Sequence, residues 1–143
     1  MIPFVNIHTH NHIDNKEVIS IQNIDIDNID NVDVSRFYSV GIHPWDVSQQ
    51  TTVNRQQSLS KLSQILSFSD SQILKAIGEC GLDRAGTGAG AGRFEIQRDV
   101  FKKQIELSEQ YSKPLIIHAV RTYPDIIAIR KETKAKQPWI IHG

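Results

Sequence analysis

A single cysteine, Cys80, is all the chain has, which excludes an intrachain disulfide and suits a reducing compartment. Net charge is also missing, because 16 basic residues balance 16 acidic ones across 143 positions. That balance argues against a broadly basic nucleic-acid surface and leaves a local patch or a bound metal to attract phosphate. No apolar run is long enough to span a bilayer. The opening residues, Met1-Ile2-Pro3-Phe4-Val5-Asn6, lack the basic start and long apolar stretch of a secretory signal. The expectation is a cytoplasmic protein without membrane contact, forming one domain over residues 1–143 with a real core.

What the chain does have is a set of short apolar runs that each end in a potential metal ligand. They are Pro3 to His10, Ile73 to Glu79, Pro114 to His118 and Pro138 to His142. β-Branched runs of this length, bounded by turn residues, read as buried strands. Two further strands are expected, one alternating from Glu17 to Ile24 and one from Arg36 towards His43-Pro44-Trp45. Residues 54–68 place Leu59, Leu62, Ile65 and Leu66 on one helical face. A second helix runs from Phe94 to Tyr111, with Gln97, Phe101, Ile105 and Leu107 in its pattern, and stops before Lys113-Pro114. A third covers 124–136 with Ile126, Ile127 and Ile129 inward. Strand and helix alternating in this way imply right-handed crossovers and a parallel sheet.

Two other stretches invite a site and do not earn one. Asp25 to Asp33 has spaced acids but lacks the central glycine and closing glutamate of a calcium loop, so it reads as a solvated connection. Gly86 to Gly92 lacks the Gly-Lys-Ser/Thr ending of a phosphate loop and reads as a flexible connector.

The strand ends carry the chemistry. If the strands lie parallel in a barrel, their C-terminal ends gather on one face, where active sites sit. His8 and His10 are two apart and point to the same side of a strand. Glu79 follows an apolar run, where an unpaired carboxylate would be costly and a metal or cation is favoured. His118 and His142 each follow Ile-Ile and arrive at the same face. Any one of these residues fits an ordinary buried or hydrogen-bonded role, but strand ends repeating the choice point to a zinc or manganese site and a metal-dependent hydrolase. Cys80 faces away from Glu79 and reads as packing.

Taken in order, His8-Thr9-His10, Val40-Gly41-Ile42-His43-Pro44, Gly78-Glu79-Cys80-Gly81-Leu82-Asp83, Lys113-Pro114-Leu115-Ile116-Ile117-His118 and Ile140-Ile141-His142-Gly143 resemble the TatD family of deoxyribonuclease-like hydrolases in the amidohydrolase superfamily. The resemblance implies an α/β fold of TIM-barrel type binding one or two divalent ions (zinc, manganese or magnesium) and hydrolysing phosphodiesters, typically DNA. It implies that His8 and His10 hold one metal, that Glu79 bridges two metals or serves the first, and that His118 and His142 complete the second site. Glu79, His118 and His142 are thereby the catalytic candidates, and His43 is a contact for substrate phosphate. Two ions would lower the pKa of water and offset charge on the attacking and leaving oxygens. No protein partner is implied.

The chain departs from the family pattern at Asn6, where an aspartate is familiar, and at its end, where two more strands and a metal-binding aspartate would follow His142. Six strands are expected where a barrel has eight within about 250 residues. The barrel is therefore expected to be incomplete, the chain truncated, its edges open, and the isolated 143-residue polypeptide poorly stable and nearly inactive. Two alternatives remain: a phosphoesterase of the polymerase-and-histidinol-phosphatase type, and a non-catalytic metal-binding remnant. A carboxylated-lysine amidohydrolase fits less well, since no lysine ends the run from Pro114 to His118.

Overall fold

Short β-branched and aromatic runs alternate with longer polar stretches, and the chain folds accordingly into strands separated by helices or turns. A computed structural model describes residues 3–68, 72–85 and 91–142. The strands are β1 (Phe4–Thr9), β2 (Val18–Ile24), β3 (Phe37–Val40), β4 (Leu74–Asp83), β5 (Leu115–Val120) and β6 (Trp139–His142). All neighbours pair in parallel and in chain order, forming one six-stranded sheet. The sheet curls so far that the His8 ring on β1 and the His142 ring on β6 lie 4.4 Å apart between centroids. This is the expected α/β half-barrel of six strands, with β1 and β6 as its two edges among the described residues.

Helices α1 (Pro44–Gln49), α2 (Thr52–Phe68), α3 (Ala91–Tyr111) and α4 (Tyr123–Thr133) occupy the connections after β3, β4 and β5. Between them and the sheet lies the hydrophobic core, built from Val40, Leu62, Leu74, Ile77, Leu82, Phe101, Leu115, Ile117 and Ile129, among others. Cys80 is part of it. The connections after β1 and β2 hold no α-helix, only a 3-10 turn at Ile29–Asn31. No helix among the described residues is long and apolar enough to cross a membrane.

Several elements differ from expectation. β3 stops at Val40, short of His43, because Pro44 opens α1 at its first turn. β4 does not end at Glu79 but continues to Asp83. α4 presents Ile126 and Ile129 to the core and leaves Ile127 exposed, since a residue next to Ile126 points about 100° away round the helix. Leu107 is half-buried, while the polar Gln104 and Ser108 are buried on α3. The glycine-rich connector lies outside the described residues except for Ala91 and Gly92, which open α3.

Candidate metal centre

Glu79 reaches the concave side of the sheet through an irregularity in β4. Ile77 pairs with Leu115 and Cys80 with Ile117, so three steps of β4 match two of β5. The extra residue breaks strict alternation. Ile77, Cys80 and Leu82 join the core beneath the helices, while Glu79 is directed the other way, to the histidines. Gly78 and Gly81 permit this, with φ values of 155° and 132°. A side chain at either position would run into the carbonyl oxygen of Ile116 or His118 on β5. The Asn23 side chain on β2 accepts from the Glu79 backbone N–H at 2.6 Å and holds the turn in place.

Five histidines surround the buried Glu79 carboxylate. His8 Nε2 is 3.4 Å and His10 Nε2 3.6 Å from Oε2, and His43 Nε2 is 3.9 Å from the same oxygen. His118 Nδ1 is 3.0 Å and His142 Nε2 3.7 Å from Oε1. His8 on β1 and His10 just past its end bring their Nε2 atoms within 3.3 Å of each other. His118 and His142 are register partners on β5 and β6, which puts them on one face. All the expected site residues thus converge, although His10 stays largely exposed.

The donor atoms fall into two groups that share Glu79: His8, Glu79 and His142, and His43, Glu79 and His118. The division differs from the one the family resemblance implies, where His118 and His142 pair. Here the curl of the sheet sets His142 against His8 across the open seam, and His43 against His118 inside.

Charge on these groups follows from their surroundings. Burial alone would raise Glu79, but its hydrogen bond to His118 and the neighbouring imidazoles hold it down to about 2, so it is ionised. Burial lowers His43 to about 4 and also lowers His8, leaving both neutral at pH 7. Burial would lower His118 as well, but hydrogen bonds to Glu79 and Asp83 outweigh it and raise the group. A divalent cation requires deprotonated imidazoles beside an ionised carboxylate, the state of His8, His43 and Glu79. His8 Nδ1 is buried and meets no hydrogen-bond partner among the described residues. A mixed imidazole and carboxylate set of this kind suits zinc or manganese. The residues present fit such an ion.

Two residues that sequence reasoning did not place at the site belong to it. Asp83, at the end of β4 and buried, faces His118 Nε2 at 2.8 Å and accepts from the Trp45 indole N–H at 2.7 Å. Trp45 is half-exposed at the rim, its ring edge-on to both His43 and His118. The signal for Asp83 was its spacing from Glu79, visible only once β4 is known to run on. His43 caps α1, its Nδ1 accepting from the Trp45 backbone N–H at 3.2 Å. Gln104 on α3 clamps the preceding residue, accepting from Ile42 N–H at 2.8 Å and donating to its carbonyl at 3.0 Å.

The TatD related DNase family matches residues 20–143. The chain belongs to the TatD family. This TatD-family chain is 28% identical over 107 residues to YjjV of Escherichia coli K12, described as an uncharacterised metal-dependent hydrolase, covering 75% of the chain and 38% of YjjV. It is 31% identical over 100 residues to YabD of Bacillus subtilis 168, of the same description, covering 70% of the chain and 35% of YabD. The crystal structure of YjjV, a TatD homologue, superposes with a TM-score of 0.76 at 22% identity, over 98% of this chain and 60% of that one. That likeness speaks for the fold. The chain matches 35–38% of the length of these two relatives in sequence and 60% of the YjjV structure.

Proposed function

We propose that the protein is a divalent-metal-dependent hydrolase that cleaves phosphodiester bonds, with DNA as its substrate. The observation that carries this reading is the buried, ionised Glu79 with five imidazoles within 4 Å of its oxygens. The name of the matching family, TatD related DNase, supports the choice of substrate. Of the two donor groups, His8, Glu79 and His142 would hold one ion with His10 beside them, and Glu79 and His118 would hold a second, with His43 left to the substrate. Such ions supply a lowered water pKa and positive charge to offset the phosphorane-like transition state.

The chain's own residues then divide the remaining work. Glu79 holds the two groups at a fixed separation. His43 serves the substrate rather than an ion: its Nδ1 is engaged as an acceptor, so its neutral ring carries the proton on Nε2 and faces the site as a donor. A donor there suits a phosphate oxygen on which charge develops. Residence in the cytoplasm completes the reading, where the buried Cys80 thiol stays reduced.

The test is direct. The protein is stripped of metal, reloaded with zinc or manganese, and offered a single-stranded oligodeoxynucleotide, bis(p-nitrophenyl) phosphate and p-nitrophenyl phosphate. Metal-dependent cleavage of the first two is expected. Hydrolysis confined to the monoester would move the reading to a phosphatase, and tight metal binding with no turnover would reduce it to a metal-binding protein.

A further inference from the structure

We infer that Asn23 is a substrate-binding residue of this site, its side-chain amide donating to a non-bridging phosphoryl oxygen, an inference that rests on the phosphodiesterase reading above. The direction of the amide is set by its partners. Its Oδ1 accepts from the Glu79 backbone N–H at 2.6 Å and from the Ser39 hydroxyl at 3.2 Å. A backbone N–H can only donate, so the oxygen has to face it, and both of its lone pairs are then taken. The amide nitrogen is left with its protons unengaged, meeting no hydrogen-bond partner among the described residues and not sealed off by burial. Asn23 lines the cleft of about 460 Å³ that also takes in His10, His43, Trp45, Glu79 and His118.

An amide nitrogen has no lone pair to give a cation, so its partner on a ligand is an acceptor oxygen. Other donors of the cleft are committed elsewhere. The Trp45 indole N–H is taken by Asp83, and the imidazoles other than His43 are the candidate metal ligands. Towards β2 and α1 the cleft is lined by Ile24, which offers nothing polar, and by Asp25 and Asp46, whose carboxylates repel a phosphate. Asn23 is the neutral donor of that wall. Unlike an imidazole, it keeps its protons across the whole working pH range. The carbonyl half of the same group is tied to the Glu79 backbone, so the donor stands at a fixed place relative to the carboxylate that both donor groups share. A donor held in this way needs no reorganisation as charge builds on the phosphoryl oxygen.

The experiment compares the zinc-loaded 143-residue protein with Asn23→Asp and Ser39→Ala. Asn23→Asp keeps an oxygen for the Glu79 N–H and the Ser39 hydroxyl and exchanges only the donor half of the group. Affinity for inorganic phosphate is measured by calorimetry, alongside zinc per chain, the melting midpoint and cleavage of bis(p-nitrophenyl) phosphate. In Asn23→Asp phosphate affinity should fall about 10–100-fold, with zinc content and melting close to wild type. Ser39→Ala, which leaves the donor in place, should bind phosphate as the wild type does. In proton–nitrogen spectra of the wild type, the Asn23 side-chain amide signals should move when phosphate is added. Wild-type phosphate affinity in Asn23→Asp overturns the inference, as does a loss that comes with loss of zinc, which would make Asn23 a support for Glu79 alone. If Asn23→Asp does not fold, the amide signals decide, and signals that phosphate leaves unmoved overturn it. A wild type whose phosphate binding depends on Asn23 but which cleaves no phosphodiester sinks the phosphodiesterase reading and leaves the Asn23 assignment standing. Cleavage that Asn23→Asp does not slow, with phosphate affinity unchanged, does the reverse.

Discussion

Replacing Glu79 with alanine removes the one donor that both three-atom groups share, so neither group retains a carboxylate. The expected outcome is loss of all tightly bound zinc or manganese, measured as metal per chain after dialysis. A variant that keeps a full complement would show that the histidines bind without it. His43 offers a second test at this scale. Burial holds it down to about 4 from 6.5, so between those values an unfolded chain binds a proton that the folded, metal-free chain does not. The stability of the metal-free protein therefore falls as pH drops from 6.5 to 4, by about 1–3 kcal/mol for this group. His118, with a raised value, acts oppositely: its contribution is present at low pH and is lost as pH rises through its folded value. His43→Asn keeps a capping side chain on α1. Urea midpoints measured from pH 4 to 7 should show a shallower loss in this variant than in the wild type, and equal slopes would remove His43 as the cause.

Among the elements, β4 is the one whose behaviour decides the site. Gly81→Ala would force a methyl group into the His118 carbonyl at a φ of 132°. The expected cost is about 2 kcal/mol or more, with weakened metal binding because β5 must shift. Thermal melts and zinc titration of this variant check both, and a wild-type melt would refute the close approach. The runs ending in His8, His118 and His142 could be read in the sequence because β-branched residues announce strands and the ligand follows directly. Glu79 was found by the same rule, but not the irregularity that turns it inward. A period of two contains no mark of an extra residue, and only the pairing of Cys80 with Ile117 reveals it. Asp83 was missed because the run reads as ending at Glu79, whereas β4 continues to Asp83. α1 was missed because a six-residue helix has too few positions to show a period, although His43-Pro44 carried its start signal. Ile127 was misplaced because three isoleucines in four positions cannot all face one way.

At the scale of the whole molecule, the sheet leaves apolar side chains on its outer strands uncovered. Phe4, Val5 and Ile7 on β1, Ile19 on β2 and Ile141 on β6 are all exposed. The 143-residue polypeptide on its own is therefore expected to bind a hydrophobic dye and to self-associate at its edges, and Val5→Lys should reduce both. Light scattering and dye fluorescence across a dilution series measure this, and a monodisperse, dye-silent chain would refute it. The meeting of His8 with His142 carries a different consequence. These residues are almost the whole chain apart in sequence, yet their rings touch. No short fragment of the chain contains both, so the donor group they share with Glu79 comes into being only when β1 and β6 are both in place. Closing so long a loop is entropically slow. A cation caught there would act as a clasp fastened last, slowing the opening of the sheet far more than it speeds its assembly.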